Sequence, residues 1–148
     1  MSKGEFGLYK GTGETNPPGK DAQPSRNTSA NKLIPVVIFN KDGSKSINGW
    51  PTNIHEGQQG KHIPGHNNYQ PEKSYLTISM KEAEKLIREK SGTGVFVSTN
   101  SNRERIDFGQ VIGVFVDEKT GKATPTTKGL IHYSKKGAHI VPSDPNAT

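Results

Sequence analysis

The chain has no cysteine among its 148 residues, and this absence excludes several kinds of chemistry at once. Disulfide bonds, thiolate nucleophiles and zinc sites built on cysteine are all ruled out. Large apolar side chains are also scarce, since hydrophobic residues make up 28% of the sequence and aromatic residues 7%. No apolar run approaches the roughly 18 residues that a membrane-spanning helix requires, and none has the length of a signal-peptide core. We therefore expect no membrane insertion and no signal peptide in this chain.

The distribution of the apolar residues predicts the domain organisation. Residues 1–31 are mainly Gly, Pro, Asn, Ser, Thr and charged residues, a composition typical of a flexible leader. A short β-prone run at 33–39 is interrupted by Pro35, which restricts it to an edge strand or to an apolar piece of linker. The predicted segments are a leader (1–31), a linker with a short β-prone run (32–51), a folded domain (52–143) and a tail (144–148).

The pattern within the folded domain predicts an α+β fold. Ser79 stands three residues before Glu82 in a capping-box pattern, and apolar residues then recur at helical spacing, so one helix is predicted over 80–90. Short runs rich in Val, Ile and Phe follow and predict strands. These strands are expected at about 95–97, 105–108, 111–116, 130–133 and 138–141, with a hairpin turn at 119–122. The expected architecture is a helical portion followed by a four- to five-stranded, mainly antiparallel sheet.

Four of the five histidines lie in two short polar motifs beside lysines. His62 and His66 lie in the segment 61–69, and His132 and His139 flank a turn of serine, two lysines and glycine. Histidine suits proton transfer at neutral pH because the ordinary pKa of its side chain is near 6.5. These motifs therefore indicate acid/base chemistry on a phosphate.

The alternation of residues along the last two predicted strands places two of these histidines together. If Ile131, Tyr133 and Ile140 face the core, His132 and His139 point to the opposite face of the sheet. Both imidazoles would then lie on one exposed face near the turn. A one-residue bulge would separate them.

The formal net charge of +6 favours an anionic partner. A basic surface attracts polyanions and increases their encounter rate, so the charge favours nucleic acid as the partner. A generally basic soluble protein accounts for the charge equally well.

Three motifs, in order, resemble a known family. They are Lys-His-Ile-Pro-Gly-His-Asn-Asn-Tyr at 61–69, Arg-Ile-Asp-Phe-Gly at 105–109 and Ile-His-Tyr-Ser-Lys-Lys-Gly-Ala-His-Ile-Val-Pro at 131–142. Together they resemble the polymorphic toxin type 50 domain of bacterial polymorphic toxins and some phage head-morphogenesis proteins, over about residues 52–143. The resemblance implies the nuclease fold shared by barnase, EndoU, tRNA-cleaving colicins and RelE, in which a helical N-terminal portion precedes a four-stranded antiparallel sheet that carries the active site.

Such a fold would cleave RNA without a metal or other cofactor, leaving a 2′,3′-cyclic phosphate. The acid/base pair is expected to be His139 with His62 or His66, and His132 is the third candidate. The other expected site residues are Lys136, Lys61 and Arg105 as cations, Ser134 and Thr127 as neutral donors, Tyr69 and Tyr133 as stacking rings, and Lys128 and Lys135 as further substrate contacts. Tyr133 is equally compatible with the core, and the two last-named lysines with charges that protect a sheet edge. Asp107 is interpreted as structural.

Two other functions stay open. A metal hydrolase would use His62 and His66 as ligands at i, i+4 spacing, but Pro64 and Gly65 disfavour the helix that this spacing needs. A basic nucleic-acid-binding module, or a phage structural piece, would need no chemistry from the histidines. The toxin interpretation adds tRNA or mRNA as partner, a cognate acidic immunity protein, and action in the cytoplasm of a target bacterium after delivery by a secretion system or phage as part of a larger protein.

Overall fold

The computed structural model describes residues 33–147 and the short strands Phe6–Leu8 (β1) and Lys10–Gly11 (β2), which pair with each other. These two strands belong to a first compact unit, Met1–Leu33. The rest of the predicted leader at 1–31 lies outside the described residues. The second unit, Ile34–Thr148, carries the remaining elements and is described here by itself.

The second unit is an α+β fold with antiparallel sheets and two short helices, as the sequence predicts for the class. Its elements are β3 (Val37–Phe39), β4 (Lys45–Ile47), β5 (Trp50–Pro51), α1 (Glu56–Gly60), β6 (Tyr75–Leu76), α2 (Met80–Lys90), β7 (Val95–Phe96), β8 (Arg103–Asp107), β9 (Gly113–Val116), β10 (Ala123–Thr126), β11 (Lys128–Ser134) and β12 (Gly137–Pro142). The strands form three sheets in the orders β3-β4-β5, β10-β9-β6 and β12-β11-β8-β7. No helix in the described residues is long and apolar enough to cross a bilayer.

Helix α2 has the bounds that the sequence predicts. The Ser79 hydroxyl accepts a hydrogen bond from the Glu82 backbone N–H at 3.1 Å, which caps the first turn. Ala83, Leu86 and Ile87 form the buried face, as their spacing requires. The helix ends where Gly92 takes a positive φ of 89°, a conformation that favours glycine.

The predicted strands are all present, but they divide between two sheets. The hairpin of β9 and β10 forms as predicted, with the Asp117 carboxylate accepting the Lys119 backbone N–H at 2.8 Å in its turn. The other edge of β9 pairs with β6 instead of joining the larger sheet. Close approach of the strands there depends on Gly113, since a Cβ at this position would lie 2.2 Å from the Tyr75 carbonyl oxygen.

The sequence predicts a linker with a short β-prone run at 32–51, and the structure has a three-stranded sheet within this segment, at residues 37–51. Strands β3, β4 and β5 pair in order, and Ile47 is fully buried in the core. Of the two alternatives for the β-prone run, the edge strand is the one observed, because β3 lies at the sheet edge after Pro35. This sheet precedes α1, and the short strand β6 lies between α1 and α2.

The four-stranded sheet has one buried and one open face, and this division positions the site. Ile106, Ile131, Tyr133 and Ile140 are among the core residues on the buried face. Alternate residues of the same strands therefore point away from this core. The open-face residues include Arg103 and Arg105 on β8, Leu130 and His132 on β11, and His139 and Val141 on β12.

Candidate functional site

The outer edge of β12 is covered by the segment that leads into α1. The Ala138 backbone N–H donates to the Asn53 carbonyl at 2.7 Å, and the His55 N–H donates to the Ala138 carbonyl at 2.8 Å. Two residues along, the buried Gln59 carboxamide donates to the Ile140 carbonyl at 2.8 Å and accepts the Ile140 N–H at 2.7 Å. The side chain of Gln59 thus replaces a neighbouring strand. This docking brings the start of α1 beside His139.

Three imidazoles meet on the open face of the sheet. His132 and His139 are register partners on β11 and β12, and their ring centroids are 5.0 Å apart with the planes at 42°. His62 stacks on His139, with a centroid distance of 6.0 Å and an interplanar angle of 13°. The strand alternation correctly places His132 and His139 together. The rings are half-buried instead of exposed, because the segment around α1 packs beside them.

The orientation of His62 is fixed by one hydrogen bond. Its Nδ1 lies 2.8 Å from the Ser74 carbonyl oxygen, and because a carbonyl only accepts, Nδ1 must carry the hydrogen. In the neutral ring Nε2 is then the basic nitrogen. Burial lowers the pKa of His62, the Ser74 carbonyl raises it in part, and the nearby Lys73 and Lys61 lower it further.

The other two imidazoles favour the neutral form more strongly. Burial, the Arg103 charge and His62 lower the pKa of His132 to about 4. The pKa of His139 is lowered to about 3, mainly by burial and further by His132, His62, His55 and Lys61. Both rings are therefore neutral at pH 7 in the free protein. His132 Nε2 is buried with no hydrogen-bond partner among the described residues, a condition that often marks a functional group.

A surface pocket of about 230 Å³ opens beside the imidazoles. Its lining includes His132 and His139 on the sheet, His55 and Gln58 at α1, and Asn102 and Ser134 at the strand ends. His55 caps α1, since its Nδ1 accepts the Gln58 backbone N–H at 3.2 Å. The pocket is therefore built mainly from polar groups, two of which are imidazoles of the cluster.

The structure places His66 in a different setting from His62. Its Nδ1 accepts the Asn68 backbone N–H at 3.0 Å. Its ring packs so closely on Gly60 that a Cβ there would lie 2.2 Å from Nδ1. No ring contact joins His66 to the three clustered imidazoles within the described residues. Its contacts are those of a residue that holds the 61–70 loop in place.

The turn between β11 and β12, which begins at the pocket-lining Ser134, carries two cations. Lys135 and Lys136 are both exposed. The Ser134 hydroxyl donates to the Gly137 carbonyl at 2.9 Å and accepts the Lys136 backbone N–H at 3.3 Å, so Ser134 stabilises the turn. Lys61 is half-buried and lies close enough to His62 and His139 to lower the pKa of both.

Two expected site residues lie away from the imidazoles. Thr127 hydrogen-bonds the Asp107 carboxylate, and the Lys128 ammonium group donates to the Ala147 carbonyl at 3.1 Å. Lys128 is four residues from His132 along β11, which corresponds to about 13 Å. The structure does not bring Thr127 and Lys128 to the cluster, because the strand carries them towards its other end. The contact of Lys128 also ties the predicted tail to β11.

The aromatic and arginine candidates also differ in position. Tyr133 is 1% exposed, stacks on Phe96 at 5.8 Å and donates to Glu104 at 2.6 Å. Its ring is therefore part of the core and cannot stack on a base. Tyr69 is half-buried and follows the His66 turn. Arg105 is half-buried and shares the open face of β8 with Arg103.

Several residues near the site have no role in the sequence interpretation: His55, Gln58, Gln59, Asn102 and Arg103. Arg103 alternates with Arg105 on a predicted strand, so extending the alternation by two residues would have found it. The others reach the site through pairing between distant segments, for which the local pattern gives no signal. Within the described residues no group of three or more His, Asp or Glu side chains is arranged to hold a metal ion.

The fold and the pocket define a small basic α+β domain with clustered imidazoles on its open sheet face. A sequence profile of the bacterial toxin 50 family matches residues 54–142, more than half of the chain. The chain therefore belongs to the bacterial toxin 50 family and carries a polymorphic toxin domain, which confirms the resemblance of its three motifs. No curated protein matches the chain.

Proposed function

We propose that this toxin domain is an endoribonuclease that cleaves RNA by histidine acid/base transesterification without a metal ion. The observation that carries the proposal is the ring contact of His62, His132 and His139 on the open face of the sheet. Imidazoles that are close enough to contact the same phosphate can accept one proton and donate another during its cleavage. A four-stranded antiparallel sheet that carries such a cluster agrees with the expected barnase-like nuclease fold.

The reaction transfers two protons and exchanges one bond at phosphorus. A neutral imidazole accepts the proton of the ribose 2′-hydroxyl, and the 2′-oxygen attacks the adjacent phosphate. The bond from phosphorus to the 5′-oxygen breaks, and an imidazolium donates a proton to that leaving oxygen. The products are a 2′,3′-cyclic phosphate and a 5′-hydroxyl. DNA lacks the 2′-hydroxyl, so this chemistry selects RNA.

The environments of the rings favour His139 as base and His62 as acid. His139 has its pKa lowered to about 3 by burial and neighbouring positive groups, so it remains neutral. Burial lowers the pKa of His62, but the Nδ1–H that it donates to the Ser74 carbonyl raises this pKa in part and stabilises the imidazolium. Environments that separate the pKa values of two groups separate their roles. His132 lies against His139 and serves as a third donor to the phosphate.

A bound phosphate would balance the positive charges around the imidazoles. Arg103 disfavours a charged His132, and Lys61 disfavours a charged His62 and His139. A phosphodiester between these groups offsets their positive charge and raises the pKa of the imidazoles. Protonation of the acid is thereby coupled to substrate binding. Lys136 and Arg105 are further candidates for contact with the RNA backbone.

The test is incubation of the purified protein with total bacterial RNA in EDTA, followed by denaturing gel electrophoresis. Wild-type protein is expected to cleave, and His62→Ala and His139→Ala are expected to lose at least 100-fold in rate. His66→Ala is the matched histidine substitution and should retain cleavage. Activity that requires an added metal ion would contradict the mechanism. Binding without cleavage would favour the nucleic-acid-binding module.

A substrate with an activated leaving group tests the two assignments separately. A ribonucleoside 3′-(4-nitrophenyl phosphate) releases a weakly basic phenolate that needs no general acid. His62→Ala should therefore recover most of its rate with this substrate, whereas His139→Ala should stay slow. If only His139→Ala recovered its rate with this substrate, His139 would be the acid and His62 the base.

The toxin role carries two biological expectations. A producing cell would need a cognate immunity protein, and a carboxylate-rich surface would best cover the basic residues around the pocket. The domain would act on tRNA or mRNA in the cytoplasm of a target bacterium after delivery within a larger protein. Expression of the wild-type domain alone should be toxic to bacteria, while His139→Ala should be tolerated. Harmless high-level expression of the wild type would count against the toxin mechanism.

A further inference from the structure

The pocket beside the imidazoles has a polar half that the proposed reaction does not use. This half is formed by His55, Gln58 and Asn102, at the start of α1 and just before β8. The reaction needs only the half that contains His132 and His139. His55, Gln58 and Asn102 line the same pocket as the two imidazoles, next to the position at which the proposed reaction holds the phosphate.

Asn102 is held in one orientation by the backbone of Tyr133. Its carbonyl accepts the Tyr133 N–H at 2.8 Å, and its side-chain amide donates to the Tyr133 carbonyl. Because that carbonyl only accepts, the amide nitrogen must face it. Asn102 Oδ1 is then directed away from this bond, and it has no hydrogen-bond partner among the described residues. The pocket therefore gains one fixed acceptor.

Gln58 adds a carboxamide that can both donate and accept. Its backbone is committed to α1, where its N–H bonds the His55 ring and its carbonyl accepts the Lys61 N–H at 3.2 Å. Its side chain makes no hydrogen bond within the described part of the chain. The adjacent Gln59 differs, because its carboxamide both donates and accepts a hydrogen bond in the core. A carboxamide is one of the groups with which proteins contact a base edge through two hydrogen bonds.

The size and walls of the pocket suit one flat heterocycle. Its volume of about 230 Å³ is below the roughly 300–1,000 Å³ of pockets that hold drug-sized ligands. The half-buried His55 ring lies against Gly57, with its Cε1 3.5 Å from the position of a Cβ there. An imidazole can stack on a base. Apart from the imidazoles, the polar side chains of the lining are neutral amides and hydroxyls, which suit the edge of a base better than they suit an anion.

We propose that His55, Gln58 and Asn102 form a subsite for a nucleobase next to the scissile phosphate, with Gln58 and Asn102 reading its edge and His55 stacking on its face. Its location beside a reacting phosphate rests on the proposed ribonuclease function. The subsite gives the toxin a sequence preference at the cleavage site.

The first arm of the test measures cleavage of RNAs that differ in the single base next to the cleaved bond. Wild-type protein is expected to prefer some bases, and Gln58→Ala should reduce the ratio of best to worst base by about 5- to 150-fold, the contribution of one bidentate contact. Asn102→Ala should reduce it as well. Gln110→Ala, an exposed glutamine in the loop before β9, is the matched control and should keep the wild-type ratio. An equal loss of rate at all bases would overturn the proposal.

The second arm measures binding without cleavage, so that the two proposals can fail separately. The four ribonucleoside 3′-monophosphates are titrated into wild-type and Gln58→Ala protein, with inorganic phosphate as comparison. Weaker and less selective nucleotide binding by Gln58→Ala supports the subsite, even where wild-type protein cleaves no RNA. Binding of inorganic phosphate as tight as that of the nucleotides, or no nucleotide binding at all, would overturn it. Cleavage with unchanged base ratios in Gln58→Ala would overturn the subsite and leave the ribonuclease function standing.

Discussion

Gln59 and Ile140 are 81 positions apart in the sequence, yet the side chain of one pairs with the backbone of the other as a strand would. The carboxamide donates to the Ile140 carbonyl and accepts the Ile140 N–H. Both residues are fully buried. Since Ile140 follows His139 directly, this pair fixes the course of β12 at the imidazole cluster.

Replacement of Gln59 by alanine should therefore be costly. The change leaves the Ile140 N–H and carbonyl buried without partners, and each such group costs roughly 1–3 kcal/mol, so the free energy of unfolding should fall by about 2–5 kcal/mol. Urea unfolding at pH 7 measures this loss. Gln58→Ala, at the preceding position of the same helix, removes a carboxamide that has no hydrogen-bond partner in the described part of the chain and should change stability by no more than about 0.5 kcal/mol. Equal effects of the two substitutions would refute the role of Gln59.

Local patterns predicted the parts of this structure that depend on neighbouring residues. The capping pattern and spacing predicted α2, and the alternation on β11 and β12 placed His132 opposite His139. Helix α1 was not predicted, because it has five residues, two of them glycine, and is held by contacts with β12. The docking of this segment also determines which of His62 and His66 joins the cluster. Such long-range pairing has no periodic signal in the sequence.

The burial of the charged residue Glu104 also depends on long-range contacts that have no periodic signal in the sequence. Glu104 is fully buried and accepts the backbone N–H groups of Gly92 and Gly94 at 2.8–3.0 Å and the hydroxyl of Tyr133 at 2.6 Å. These donors come from a loop and a strand that only the folded chain brings together. They supply the hydrogen bonds that a buried carboxylate needs.

Glu104→Gln should destabilise the domain more than Tyr133→Phe. The amide replaces one acceptor oxygen by a donor that faces backbone N–H groups; because each buried group left without a partner costs roughly 1–3 kcal/mol, we expect a loss of about 3–5 kcal/mol. Tyr133→Phe removes one hydrogen bond to a charged group and should cost about 1.5–3 kcal/mol. Urea unfolding of both variants and of the double variant gives the coupling between the two side chains. A Tyr133→Phe loss that equals that of Glu104→Gln would mean that the loop contacts contribute little.

The N-cap of α2 offers a milder and independent test. Ser79→Ala removes the hydroxyl that accepts the Glu82 N–H and should lower the free energy of unfolding by about 1 kcal/mol. Ser79→Asp keeps an acceptor and adds a negative charge at the helix N-terminus, so it should be at least as stable as the wild type. Thermal unfolding of the three proteins in one buffer measures the order. An alanine variant as stable as the aspartate variant would contradict the capping role.

The histidine cluster should also make the domain sensitive to mild acid. His132 and His139 have pKa values lowered to about 4 and 3 in the folded protein, whereas the unfolded chain titrates near the ordinary pKa of 6.5. Below pH 6.5 the unfolded state therefore binds more protons, and the free energy of unfolding falls as the pH drops through this window.

Measurements between pH 6.5 and 5 isolate this effect, because carboxyl groups with ordinary pKa values near 4 change little there. The loss should be on the order of 1 kcal/mol for each histidine over this range. His132→Asn and His139→Asn should each flatten the curve of stability against pH, since the substituted side chain no longer takes up a proton on unfolding. His66→Asn removes a histidine outside the cluster and should leave the slope contributed by the cluster intact. If His139→Asn and the wild type lost stability in parallel across this range, the buried neutral state of His139 would be disproved.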